Sequence, residues 1–329
     1  MMDAVALARV VKGLARGEGF ALVGIARAGG SAYGDKYREW IAAGKHGEMW
    51  YLAEGVEERV DVTRKFPWAK SVVCVGMAYW QKSDGSSQES VVSSQESEVS
   101  SQKRGMGRIA RYAWGRDYHK VVEGKLKRVE RGLRKAMGEE GAGLMARVYC
   151  DTGPVLEREL AQRAGLGWVG KHTLLIHPRH GSWFVLGELV VSVELAADEA
   201  EGDHCGTCRR CIEACPTGAI TPYSVDGVKC LSYQTLENRG EVPGELQGAM
   251  REAGFLVGCD ICQEVCPFNG RPLVATEGDF LRAPVAELAV GEVLGWDEGA
   301  WDEATRGRAF RRVKLGVFKR NAGILGGTT

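Results

Sequence analysis

Eight of the ten cysteines in this 329-residue sequence lie between Cys205 and Cys266. The first run, Cys205-Gly-Thr-Cys208-Arg-Arg-Cys211-Ile-Glu-Ala-Cys215-Pro216, is a complete C-x2-C-x2-C-x3-C-P. The second is shorter, Cys259-Asp-Ile-Cys262-Gln-Glu-Val-Cys266-Pro267, and Cys230 stands alone between them. Thiolates at this spacing hold paired 4Fe–4S clusters, and the fourth cysteine of each run reaches across to the other cluster. That rule assigns Cys205, Cys208, Cys211 and Cys266 to one cluster. Cys215, Cys230, Cys259 and Cys262 go to the other, with Cys230 supplying the ligand that the shortened run lacks. Structural zinc rarely uses such a proline-ended run, and disulfides would need an oxidising compartment. The chemistry on offer is electron transfer.

The cysteine-rich module runs from Asp203 to Asn269, so the longer amino-terminal part must supply what the electrons are for. Its elements alternate. Ala4 to Ala15 has helical spacing, and Ala21 to Ala26 and Ser71 to Tyr79 read as buried strands. Tyr118 to Met137 is a charged helix. Arg147 to Cys150 is a strand ending at Asp151-Thr-Gly-Pro, and Val155 to Ala164 is again helical. The most hydrophobic stretch, Trp183 to Val193, is interrupted by Glu188 and reads as a buried strand. This order predicts an α/β domain over 1–200, with a two-cluster ferredoxin-like domain over 201–272 and a helical basic segment over 273–329. Within the first domain, 82–104 contains the polar repeat Ser86 to Gln102, too poor in apolar surface to fold by itself.

Hydrophobic residues make up 44% of the chain, enough for a full core and two domains. A net charge of zero does not mark a nucleic-acid binder. The charge is uneven, however: from Ala304 onward there are seven Lys or Arg and no acid. Charge alone reads this tail as the solvated face of a terminal helix. The amino terminus carries neither a long apolar core nor a twin arginine, and the expectation is a cytoplasmic protein without a membrane segment.

Five further motifs follow one another in order: Arg59-Val-Asp61, Ala113-Trp-Gly-Arg-Asp-Tyr-His119, Asp151-Thr-Gly-Pro-Val-Leu-Glu-Arg158, Ala164-Gly-Leu-Gly-Trp-Val-Gly-Lys-His-Thr-Leu175 and Gly258-Cys-Asp-Ile-Cys-Gln-Glu-Val-Cys-Pro267. Together they resemble the epoxyqueuosine reductases, cobalamin-dependent iron–sulfur enzymes that complete queuosine in tRNA. The resemblance covers the chain from about residue 5 to about residue 325. It implies a cobalamin-binding α/β domain similar to that of reductive dehalogenases, with electrons passing through the two clusters to cobalt. The substrate it implies is tRNA carrying epoxyqueuosine. By motif position Asp151 is the family's proton donor. Arg59, Ala110, Arg158, His172, Leu175, Leu186, Ser232, Cys259 and Asp260 match corrinoid contacts. The family often has Asn where this chain has His172, and the repeat at Ser86 to Gln102 is foreign to the family. The longer members' HEAT-like extension is absent after Gly326, which implies a smaller tRNA surface. The tail, with Arg209 and Arg210, is expected to help bind phosphates.

Each site has a plainer reading. Asp151, between strand and helix, is placed to cap the helix; as the acid, its carboxyl is expected to be raised toward neutrality by burial. Asp117-Tyr-His119 lacks the glycine of the D-x-H-x-x-G that ligates cobalt elsewhere, so His119 is expected to be structural and cobalt to take no protein imidazole. Cys74 and Cys150 read as packing. The glycines of 165–170 are not followed by G-K-[ST], which excludes a phosphate-loop NTPase. The rivals are a corrinoid reductive dehalogenase and a plain electron-transfer module. A flavodoxin- or ferredoxin-type donor and a monomer complete the expectation.

Overall fold

The computed structural model describes residues 2–82 and 105–327. The repeat from Ser86 to Gln102 lies outside the described residues.

Four strands form the central sheet: β1 (Leu22–Arg27), β2 (Ser71–Ala78), β3 (Ala146–Tyr149) and β4 (Phe184–Val191). Their order is β1-β2-β4-β3, and every pairing is antiparallel. β2 is buried at every position, as its apolar run of Val, Cys, Met and Ala requires of a central strand. Its side chains alternate between two layers. Val73 and Val75 join Leu7, Val11 and Ala15 of α1 (Ala4–Gly17) and Val122, Leu126 and Val129 of α2 (Tyr118–Ala136). Val72 and Cys74 face Leu160, Ala161 and Ala164 at and just beyond α3 (Glu157–Arg163). A sheet covered on both faces by helices is the outcome.

Gly187 of β4 lets α2 approach. A Cβ there would stand 2.6 Å from Val122 Cγ1 and 3.3 Å from the Tyr149 carbonyl oxygen. This close packing brings the first turn of α2 to the carboxyl end of β3, where Asp151 lies. Asp117 caps α2 by accepting the His119 backbone N–H at 3.2 Å.

A second, three-stranded sheet ties the chain together. Met106–Ile109 lies in its centre, parallel to Phe255–Val257 and antiparallel to Glu287–Ala289. Each of the three segments expected from the sequence thus supplies one strand. The last helix, α4 (Leu315–Gly326), buries Phe318, Asn321 and Ile324. Asn321 Nδ2 donates to the carbonyls of Thr235, at 3.1 Å, and Leu256, at 2.9 Å.

The basic tail departs from expectation. Its arginines are engaged within the chain, although Arg306 and Arg312 keep exposed surface. Arg311 pairs with Asp302, Arg312 with Glu237 at 2.5 Å, and Arg308 donates to the carbonyl of Trp114 at 2.7 Å. Arg320 donates to the carbonyls of Gln234, Asn238 and Gly240. The reason is composition. Chain turns and helix ends nearby leave carbonyls that need donors, and the tail supplies them.

Candidate active site and cluster sites

The cysteines fall into two groups. Cys205, Cys208, Cys211 and Cys266 line one cavity together with Lys171, His172 and Phe268. The other four are neighbours electrostatically. Burial raises the Cys230 thiol and the charge of Cys215 adds to it, while Cys259 and Cys262 are raised by burial and then by each other or by Cys230. All ten cysteines are free. Among the described residues no three His, Cys, Asp or Glu converge closely enough to hold a single metal ion. Thiols ringing a space, rather than meeting at a point, suit a cluster better than mononuclear zinc. Two groups support the first ring from outside: Trp168 Nε1 donates to Cys205 Sγ at 3.4 Å, and Lys171 Nζ to the Cys208 carbonyl at 2.9 Å. Cys74 and Cys150 are fully buried, and Cys150 donates to the Leu186 carbonyl at 3.2 Å.

Asp151 follows β3 at φ 62°, in the left-handed region, and its side chain is half exposed. It does not cap a helix: the residue before α3 is Leu156, which makes no side-chain cap. Its Oδ2 accepts the Tyr118 hydroxyl at 2.9 Å and lies 3.3 Å from His119 Nε2. The other ring nitrogen of His119 sits 2.7 Å from Asp117 Oδ1. The result is a chain of carboxylate, imidazole and carboxylate. Burial alone would lower His119, but hydrogen bonds to Asp117 and Asp151 reverse this and raise it to about 9. For Asp151, partial desolvation raises the carboxyl, and His119, Tyr118 and Arg158 together outweigh it, so the net direction is down. One expectation is therefore corrected. Asp151 is not raised toward neutrality, because His119 and a phenol favour its charged form. His119, expected to be structural, is the group that lies against Asp151 and lowers it.

The residues matched to corrinoid contacts form two sets. Around the Asp151 loop, Arg59 donates to the carbonyls of Gly153 at 2.8 Å and Tyr51 at 2.7 Å, and Arg158 to that of Thr173 at 3.1 Å. His172 and Leu175 are buried nearby, on the stretch that carries Thr173, and Leu186 is half-buried on β4. The other set lies by the cluster module. Ala110 packs against Gly258, where an added Cβ would stand 2.4 Å away, and Asp260 Oδ2 accepts the Arg111 N–H at 2.7 Å. Ser232 and Cys259 are half-buried, and Thr235 accepts the N–H of Gly258 at 2.9 Å. Tyr112 spans the two sets, for its phenol is raised by burial and then feels Arg312, Asp151 and Asp260.

A large, amide-rimmed ligand requires unsatisfied polar groups at its site. His172 Nδ1 accepts the Leu174 N–H at 3.2 Å, so the neutral ring carries its proton on Nε2, which is buried without a partner. Burial, then the charge of Arg158, lowers His172 to about 4 and keeps it neutral. Arg59 Nε is likewise buried and unpartnered. Arg59 Nε, on the side chain that holds the Gly153 carbonyl of the Asp151 loop, and His172 Nε2, on a ring that also lines the cavity of the first four cysteines, are two orphaned donors that fit the carbonyl rim of a corrinoid. An open cleft of about 500 Å³ between the start of α1 and Ser192–Glu194 holds none of these residues.

Residues 59–152 match the family described as "Epoxyqueuosine reductase QueG, DUF1730", and residues 204–269 match "4Fe-4S double cluster binding domain". The epoxyqueuosine reductase of Gloeobacter violaceus is 38% identical over 95% of this chain and 93% of its own length. The chain belongs to the epoxyqueuosine reductase family. Among solved structures, an epoxyqueuosine reductase with an epoxyqueuosine-modified tRNA-Tyr stem loop superposes with a TM-score of 0.82 at 25% identity, covering 98% of this chain and 81% of that one. The Bacillus subtilis epoxyqueuosine reductase, with its catalytic Asp loop swung out of the active site, gives 0.83 at 25% identity over the same shares. Epoxyqueuosine reductases are oxidoreductases, and the paired-cluster domain of this one lies where the cysteine spacing placed it.

Sequence reasoning missed three participants. Tyr118 was read as a helix start and Glu157 as one residue of the Asp151-to-Arg158 motif, each without a role, and Glu188 as an interruption in a strand. The one available signal was the acid in the middle of an apolar run.

Proposed function

We propose that this chain reduces epoxyqueuosine to queuosine at the wobble position of tRNA, with cobalamin and two 4Fe–4S clusters as cofactors. The reaction takes an epoxide, two electrons and two protons to an alkene and water, so it needs a proton source at the leaving oxygen. The observation that carries the reading is the Asp117–His119–Asp151 chain beside orphaned donors that suit a corrinoid.

The corrinoid, when bound, supplies low-potential one-electron chemistry at cobalt. The chain's own residues do the rest. His119 holds a proton at neutral pH, Asp151 passes it toward the substrate oxygen, and Tyr118 fixes the receiving carboxylate. His172 Nε2 and Arg59 Nε would hold the corrinoid's polar rim, with Arg158, Leu175, Leu186, Ala110, Ser232, Cys259 and Asp260 around it. Cys205, Cys208, Cys211 and Cys266 hold one cluster, and Cys215, Cys230, Cys259 and Cys262 the other. The reading divides the chain at 1–200, 201–272 and 273–329, and takes a monomer in the cytoplasm served by a flavodoxin- or ferredoxin-type donor. No helix among the described residues is long and apolar enough to cross a membrane.

Recognition of unpaired anticodon bases needs aromatic faces. Trp50 is 64% exposed and Tyr51 44%, and Arg59 links the Tyr51 carbonyl to the Asp151 loop. The test is an anaerobic assay of cluster-loaded protein with cobalamin, reductant and epoxyqueuosine tRNA. Queuosine formation supports the reading. Cobalamin binding without turnover of this tRNA would sink the substrate assignment.

A further inference from the structure

Glu188 is a charged residue type in the middle of a central strand. It is fully buried, with Cys74 of β2 opposite on one side and Tyr149 of β3 on the other. Neither of its carboxyl oxygens has a hydrogen-bond partner of good geometry. An ionised carboxylate there would be buried without a cation or a donor, so the group keeps its proton. Its acidic neighbour is Glu157, at the start of α3. The Glu157 Oε1 in turn accepts the backbone N–H of Asp151. Asp151 needs such a hold: the left-handed region is strained for a non-glycine residue, and this loop has no regular structure of its own.

We propose that Glu157, backed by Glu188, is a positioning residue that latches the Asp151 loop with the acid turned into the site. Charged Glu157 is a strong acceptor for the Asp151 N–H, and a neutral Glu188 beside it adds no second negative charge to the core. When Glu157 takes up a proton the acceptor weakens and the loop is released. The inference rests on the reading of Asp151 as the acid.

The electrostatics run in the same direction. Burial, then the Asp151 charge, raises Glu157 to about 7, while Glu188 holds it down. Glu188 itself is raised well above the ordinary range by burial and by Glu157. Besides Asp151, the group acting on the pair is Arg158 of α3, a cation that is exposed and engaged with Thr173. Cys74 of β2 and Cys150 after β3 lie against both carboxyls; Cys74 also feels Arg163 and Glu159 of α3, and Cys150 feels Glu123 of α2.

Amide hydrogen exchange on the cluster-loaded chain reads the latch directly. In Glu157→Gln the Asp151 amide should exchange about tenfold faster or more, the equivalent of one charge-assisted hydrogen bond. Glu188→Gln, neutral like the protonated acid and of the same shape, should keep the protection. With epoxyqueuosine tRNA, Glu157→Gln should lower kcat with KM for tRNA unchanged, and the acid limb of the wild-type pH profile near 7 should vanish. Should Glu157→Gln fold poorly, Glu157→Asp, shorter by one methylene, should give the same faster exchange. An Asp151 amide exchanging at the wild-type rate in the Glu157 variant overturns the latch. If instead exchange accelerates and Asp151→Asn remains active, the latch stands and the acid assignment falls.

Discussion

His119 Nε2 stands 3.3 Å from Asp151 Oδ2, while the other nitrogen of the same ring is 2.7 Å from Asp117 Oδ1. An imidazole between two carboxylates is held as the cation. In the proposed reaction the proton that leaves with the substrate oxygen would be stored on His119 and delivered through Asp151, whose own carboxyl is lowered. A raised lone carboxyl is not needed for acid chemistry when its neighbour carries the proton.

Asp151→Asn removes the delivering group but keeps the shape and the Tyr118 contact. Turnover of epoxyqueuosine tRNA should fall about a hundredfold or more, the scale of a general acid. Iron content and cobalamin affinity should be unchanged. Near wild-type turnover in single-turnover kinetics would move the acid to another group.

His119 also links stability to pH. Its folded-state value, about 9, lies above the ordinary imidazole value, so folding binds a proton between the two. That stabilisation is whole below about pH 6.5 and is lost as pH rises through about 9. The melting temperature of the wild type should decline across this window, and His119→Asn should decline less. Parallel melting curves against pH would show that His119 is not charged in the folded chain.

How much of this was legible follows from where each interaction's partners sit in the chain. The cluster cysteines are spaced two or three residues apart within each run, so local ligand geometry is written directly in the sequence. Asp151 was placed by its motif, and β2 by its unbroken apolar run. The hydrogen bonds that set Asp151's charge come from residues 32 and 33 positions earlier, brought in only because Gly187 lets α2 close on β4. The tail's charge was visible, but Arg312 finds Glu237 across 75 residues, and no pattern in the tail foretells that. Glu188 was seen as a break in a strand. Its meaning appears only once β4 is central in the sheet and Glu157 stands beside it.

Cys230 sits outside both cysteine runs, at the N-terminal boundary of the helix Leu231–Leu236. Cys230→Ser should impair one cluster and spare the ring of Cys205, Cys208, Cys211 and Cys266. Iron per chain should drop toward half, because each cluster takes about four irons. Full iron content with an unchanged reduced EPR spectrum would remove Cys230 from the ligand set.

Arg320 tests what the tail is for. Its guanidinium donates to the carbonyls of Gln234 at 2.5 Å and Asn238 at 2.8 Å, and also to that of Gly240. These carbonyls lie at and beyond the end of the helix that starts after Cys230, where a cation satisfies groups the helix leaves unpaired. Burial holds the Arg320 value down, consistent with a side chain enclosed by protein rather than offered to phosphate. Arg320→Ala should cost about 2 kcal/mol, the scale of charge-assisted hydrogen bonds, read as a lower urea midpoint. The slope of tRNA affinity against salt should stay the same, since an arginine already enclosed within the chain neutralises no phosphate and releases no counterion on binding. A shallower salt slope at wild-type stability would return Arg320 to the phosphate-binding tail expected for a tRNA-binding enzyme.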